Sequence, residues 1–149
     1  MDIVKDPNKI LHQKLTEVKE VNVGILKLAE EMKEIMKKSN GVGLAANQVG
    51  KNTSMFVIDE NLAKESGAPD VYINPEITEY SRDLIESEEG CLSLPDFWPT
   101  VKRAKKIKIK ALGIDGKKIK IKARGFLARV LQHETDHLYG FLIKDRVKK

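Results

Sequence analysis

Ten residues near the carboxy terminus, LQHETDHLYG (Leu131–Gly140), decide how this chain is to be read. The chain has only three histidines, and two of them, His133 and His137, stand four apart with Glu134 beside the first. On a helix, positions i and i+4 share a face, so both imidazoles can reach one metal ion. The carboxylate of Glu134 then lies beside whatever that metal binds. This H-E-x-x-H arrangement joins a ligand pair to an adjoining general base. The competing reading is two surface histidines on a charged helix.

Outward from this stretch, ARGFLARVLQHETDHLYG reads as one substantial helix closed by Gly140. Before it, KIKIKALGIDGKKIKIK alternates Ile with Lys around Asp115-Gly116, the pattern of a hairpin with one buried and one lysine-coated face. SMFVID (Ser54–Asp59) is a buried strand, followed by the looser ENLAKESGAPD. VYINPEI (Val71–Ile77) is another strand, which Pro75 confines to an edge or a bend. Near the amino end, a turn at Asp6-Pro7 precedes a helix carrying Ile25, Leu28, Met32, Ile35 and Met36 at helical spacing and stopping at Asn40-Gly41. Strands and a late helix with few βαβ crossovers predict an α+β fold. One domain, residues 1–149, would place antiparallel or mixed sheets around a central metal-binding helix. Two glycine-bearing stretches stay outside this pattern and read as loops: GVGLAANQVG and EEGCLSLP.

Hydrophobic residues make up 41% and charged residues 33% of the chain, the balance of a folded globular protein. No apolar run approaches a membrane span, and MDIVKDPNKI lacks the character of a targeting segment, so a cytoplasmic protein is expected. The lone cysteine, Cys91, fits a reducing compartment. The net charge of +5 is concentrated between Lys102 and Arg124, where eleven Lys or Arg face one acid, Asp115. A solvated strand face explains most of this, since exposed lysines also deter edge pairing. RNA is the alternative partner, without base stacking, because no aromatic residue interleaves with these lysines.

A catalytic site of this kind needs three protein ligands and one open position. Downstream of His137 the only carboxylate is Asp145, so the third ligand comes from upstream. His12 stands in a polar stretch and reads as exposed. Cys91, the sole thiol, lies in a glycine-flanked loop, and a thiolate binds Fe(II), Zn(II) or Ni(II) strongly; otherwise it is a small buried hydrophobe. A divalent ion held there acidifies water, and Glu134 can take the proton and pass it to a leaving group. Donors to a developing oxyanion are available in the Gln48 amide and the Leu92 N–H. The plain alternative for Gln48 is a loop side chain facing water.

Three segments taken together resemble the peptide deformylase family: Gly41-Val42-Gly43-Leu44-Ala45-Ala46-Asn47-Gln48, then Glu89-Gly90-Cys91-Leu92-Ser93, then His133-Glu134-Thr135-Asp136-His137. The likeness extends from Asp6-Pro7 through Ile73-Asn74-Pro75 to the last helix. It implies a metal-dependent hydrolase that removes the N-formyl group from the formylmethionine of nascent polypeptides and releases formate. It implies metal ligands Cys91, His133 and His137, Glu134 as base and then acid, and Gln48 with the Leu92 N–H as oxyanion donors. Fe(II) is the expected cellular metal, with zinc, nickel or cobalt in purified protein. Val42, Gly43 and Gly90 would line an extended substrate, and Val42, Phe126, Val130 and the ring of His133, with the stem of Arg129, would wall the methionine pocket. Arg103 and Asp136 would be supporting positions behind the metal.

Three departures stand out. Arg129 occupies a pocket position usually apolar in the family, with its stem along the wall and its charge expected to snorkel out to water. This motivates a second reading, a related amidohydrolase with altered acyl preference. Phe97 and Trp98 either wall the groove or pack beneath the loop. Many relatives also carry a long carboxy-terminal helix that in some docks on the ribosome. Here the lysine hairpin would have to supply any such contact, for a chain otherwise expected to be a monomer without sequence-specific nucleic-acid binding. A basic binding module that kept the fold without the chemistry is the third reading, against which the intact Glu134 speaks.

Overall fold

A computed structural model describes residues 1–147. Helix α1 (Val23–Lys38) starts where the Asn22 side chain accepts from Ile25 N and buries Ala29, Met32 and Met36. The polypeptide then runs through β1 (Gly43–Ala45) and a 3-10 turn (Ala46–Val49) into β2 (Met55–Ile58). Helix α2 (Glu60–Ser66) leads to β3 (Val71–Tyr80), and the pair β4 (Leu84–Glu88) and β5 (Thr100–Ala104) follows. The hairpin β6 (Lys106–Leu112) and β7 (Lys118–Arg124) feeds directly into α3 (Gly125–Leu138). Five strands form one sheet in the order β1-β2-β3-β6-β7, and β4-β5 forms a second. All pairings in both are antiparallel. The α+β expectation holds.

The core lies between the inner face of the large sheet and the helices. Met55, Phe56, Val57 and Ile58 are fully buried, and Phe56 stacks on Tyr72 at 4.9 Å. The hairpin behaves as its alternation requires. Ile107, Ile109 and Ala111 face inward while Lys106, Lys108 and Lys110 are exposed. Helix α3 is the central element, with ten buried residues that include Leu131, Glu134 and His137.

Three expectations are corrected. ENLAKES is helical rather than loose: Asp59 caps it by accepting from Leu62 N at 3.1 Å, and Gly67 closes it at φ 65°. Seven residues burying only Ala63 carry no readable period, so the caps make this helix. Pro75 lies on an interior strand, so the edge reading fails and the bend holds. The register shifts between Ile73 and Glu76, and Asn74 at φ 50° reaches out to bond Val18 N and O, both at 2.8 Å. The glycine stretch 41–50 is not a loop throughout, because Gly43–Ala45 pairs with Phe56–Ile58.

Candidate active site

The Cys91 loop and the 3-10 turn carrying Gln48 converge on α3. His133 and His137, one turn apart, bring their Nε2 atoms to 3.2 Å, and Cys91 Sγ lies 3.4 Å from His137 Nε2. All three donor atoms lie within 4.8 Å of one another. Tetrahedral coordination with metal–nitrogen of about 2.0 Å and metal–sulfur of about 2.3 Å spaces neighbouring donors roughly 3.3–3.6 Å apart. The trio fits a divalent metal on that measure. His12, the weaker candidate, does not belong to this group and bonds Asp6 at 2.7 Å instead.

The electrostatics agree. Burial, with the nearby cations His133 and Arg103, keeps His137 well below the ordinary histidine value and therefore neutral, with a lone pair to give. His133 is pushed up to about 10: burial opposes its charge, but Glu134, Cys91 and Glu89 outweigh that. The anionic neighbours favour a positive charge at this spot, which a proton or a metal cation supplies. His133 Nδ1 bonds Glu89 Oε1 at 3.1 Å, which orients the ring and turns Nε2 toward the cradle.

Glu134 is buried beside the pair, with Oε2 at 3.9 Å from His133 Nε2 and Oε1 without a hydrogen-bond partner among the described residues. Burial, reinforced by Glu89 and Asp136, raises its carboxyl to about 7 against the opposing pull of His133 and Arg103. A carboxylate at that value can both take and give a proton near neutrality. Gly43 makes room for it: a Cβ there would meet Glu134 Oε2 at 2.5 Å.

Gln48 is only 2% exposed, so it is no water-facing loop residue. Its Oε1 accepts from Ala45 N at 3.0 Å, and its Nε2 donates to Ser93 Oγ at 3.1 Å and lies 3.5 Å from Cys91 Sγ. The amide is thereby aimed at the cradle. Leu92, the residue after Cys91, lines the same cavity of about 450 Å³, as do Val42, Gly43, Gly90, Phe126, Arg129 and Val130. Trp98 walls it too, its ring lying so close over Gly90 that an added Cβ would meet it at 2.4 Å. Phe97 is not among the lining residues.

One expectation for Arg129 fails. Its guanidinium does not snorkel to water but turns inward onto Glu89 and the carbonyls of Ile85 and Val101. An inward carboxylate and two open carbonyls solvate the charge better than the cavity mouth would. Only the stem is left to face the cavity, which takes away the reason to expect an altered acyl preference.

Three residues had no assigned role in the sequence reading. Glu89 accepts from Arg103 at both oxygens and from His133, and these donors hold its carboxyl down to about 2 against the cost of burial. Asn47 Nδ2 donates to His137 O at 2.7 Å, tying the end of α3 to the 3-10 turn. Ser93 bridges Gln48 to Val4 O. Each of these contacts spans 14 or more residues of sequence, beyond the reach of any local spacing rule.

The whole of residues 1–149 matches the polypeptide deformylase family. The chain belongs to that family. Among relatives, the peptide deformylase of Thermodesulfovibrio yellowstonii is 43% identical over 147 residues, 99% of this chain and 88% of its own. Peptide deformylase 1 of Clostridium perfringens is 49% identical over 138 residues, 93% of this chain and 91% of its own. The crystal structure of the Thermotoga maritima peptide deformylase superposes with a TM-score of 0.91 at 37% identity, covering 99% of this chain and 97% of its own. A Synechococcus elongatus peptide deformylase in complex with actinonin gives 0.92 at 35% identity, covering 100% and 79%. As a deformylase-family chain, this protein is a hydrolase that removes the N-formyl group from nascent peptides. That sets aside the reading of a binding module without chemistry.

Proposed function

We propose that Cys91, His133 and His137 hold one divalent metal ion and that the remaining groups of the cavity are arranged around the formyl carbon of a formylmethionyl peptide. The observation that carries this is the convergence of the thiol and two imidazoles beside a buried carboxylate at the floor of a substrate-sized cavity. When bound, the metal acidifies water and polarises the formyl carbonyl. Glu134 accepts the proton as the water oxygen adds to the formyl carbon. Gln48 Nε2 and the Leu92 N–H donate to the oxygen that gains negative charge. As the C–N bond breaks, Glu134 delivers the proton to the departing amine nitrogen, leaving formate and a free amino terminus. The substrate backbone lies along Val42, Gly43 and Gly90. Its methionine side chain is walled by Phe126, Val130 and the Arg129 stem.

Fe(II) is the metal proposed for the cell, with zinc, nickel or cobalt in purified protein. The proposed compartment is the cytoplasm, where nascent chains arise; among the described residues no helix is long and apolar enough to cross a membrane. The working unit is proposed to be a monomer. Release of the free amino terminus from formyl-Met-Ala-Ser, compared with formyl-Asp-Ala-Ser and acetyl-Met-Ala-Ser, tests the substrate assignment. Strong preference for the first is expected. Equal rates with all three would sink the methionine pocket and the formyl specificity together.

Contact with the ribosome through the basic hairpin is proposed as well. Its support is the register, which sets Lys106 opposite Arg124, Lys108 opposite Lys122 and Lys110 opposite Lys120. Like charges directly opposed destabilise a sheet, and a polyanion would relieve them. Lys118→Gln, Lys120→Gln and Lys122→Gln together should lower the salt slope of ribosome binding by about 2; an unchanged slope would remove the hairpin from the contact.

A further inference from the structure

The Glu89 carboxylate, buried at the wall of the cavity, takes part in four hydrogen bonds. Oε1 accepts from Arg103 Nη2 at 3.0 Å and pairs with His133 Nδ1 at 3.1 Å. Oε2 accepts from Arg103 Nε at 3.0 Å and from Arg129 Nη1 in a very short contact. Arg103 approaches from β5 and continues to Asp136. Arg129 approaches from α3, one turn before His133. The same guanidinium donates to Ile85 O on β4 at 2.5 Å and to Val101 O on β5 at 3.2 Å. It thus joins the metal helix to both strands of the small sheet. The chain leaving β4 reaches Cys91 three residues after Glu88.

Arg103 alone would satisfy both oxygens of Glu89. Burying a second guanidinium is costly, and an apolar side chain would wall the cavity at less expense. Arg103 and Arg129 face Glu89 and Asp136, and the more exposed Arg146 adds a further guanidinium at Asp136. Oε2 is taken by Arg103 Nε and Arg129 Nη1, while Oε1 is shared between Arg103 Nη2 and His133. We infer that Arg129 is a positioning residue for the metal cradle, fixing Cys91 relative to the histidine pair and holding Glu89 against His133. Its role in the pocket is therefore double. The stem borders substrate, and the head aligns two of the three ligands from behind.

This inference rests on Cys91, His133 and His137 holding a metal. The test measures zinc affinity by chelator competition for the metal-free parent, Arg129→Met and Arg129→Lys, with the visible spectrum of the cobalt(II)-loaded proteins alongside. Met keeps the stem and removes every donor; zinc affinity should fall about 10- to 100-fold, and the thiolate and d–d bands should shift. Lys returns the charge, but its donors sit on a single nitrogen and do not span the carboxylate and two carbonyls as the guanidinium does, so its affinity should lie between those of Met and the parent. Met32→Ala, a core truncation on α1, should lower stability and leave zinc affinity unchanged. Parental affinity and an unaltered cobalt spectrum in the Arg129 variants would make the residue merely structural and overturn the inference. If Arg129→Met does not fold, Arg129→Lys decides: parental affinity there overturns it equally. Failure of the parent to bind zinc would instead overturn the metal-site reading on which it rests.

Discussion

At Gly43 a single methyl group would land 2.5 Å from a carboxylate oxygen of Glu134. The backbone there is not in the left-handed region, so Gly43→Ala strains no torsion; it only pushes the carboxylate. A displacement of about 1 Å at a reacting group costs on the order of 100-fold in rate. Gly43→Ala should therefore lose about 100-fold in formate release while binding metal as the parent does. Full activity would show that Glu134 need not stand where it does. At this scale the sequence was legible where function follows a period: the i, i+4 histidines and the adjoining glutamate follow from helical geometry alone. Cys91 and Gln48 could be named only as candidates, because nothing local says which loop reaches α3. Glu89, Asn47 and Ser93 carried no signal, since their meaning lies in partners far along the chain. The Arg129 expectation failed for the same reason: a stem read on a helix wheel does not show that Glu89, 40 residues away, captures its head.

Among the elements, the hairpin β6–β7 was readable in full because alternation at period two fixes both the strands and their buried face. Helix α2 and the β4–β5 pair were not. The first is set by Asp59 and Gly67 rather than by an apolar face, and β4 is exposed along its whole length, so no hydrophobic pattern marks it. The hairpin also holds an unrelieved repulsion. Lys108 and Lys110 reach Glu79 and Glu76 on β3, at 3.1 and 3.3 Å, but no described acidic side chain pairs with Lys106 or Arg124, which face each other across the ladder. Lys106→Glu converts that pair to opposite charges and should stabilise the protein by about 0.2–1 kcal/mol. Urea unfolding at low salt measures it, and a destabilised variant would contradict the cross-strand account.

Across the whole molecule, the amino-terminal segment is stitched to the far end of the chain by charge. Asp6 bonds Lys144 at 2.6 Å and His12 at 2.7 Å, while Asp6 N donates to Ser93 O beside the Cys91 loop. The Lys144 hydrogen bond, against a smaller opposing effect of burial and with help from His12, holds the Asp6 carboxyl below its ordinary 3.8. A folded value below the unfolded one stabilises the protein above the unfolded value. That stabilisation is lost as pH falls through the lowered folded value. Asp6→Asn should cost no more than about 1 kcal/mol at pH 7, as expected for solvent-screened pairs. The gap from the parent should close in acid below pH 3.8. A gap that persists in acid would assign the effect to packing instead. This long-range stitching is the kind of feature that composition cannot disclose, although the α+β class followed from element order.

The account turns on Glu134 moving a proton beside a metal that it does not itself hold. Glu134→Ala, loaded anaerobically with Fe(II) or Ni(II), separates those two properties in one sample. One metal ion per chain should be retained, and formate release from a formyl-Met peptide should drop by about 100- to 10,000-fold, the usual worth of a positioned acid–base group. Metal retained with near-parental formate release would contradict the proton-transfer role. Loss of the metal with the carboxylate would contradict the three-ligand site.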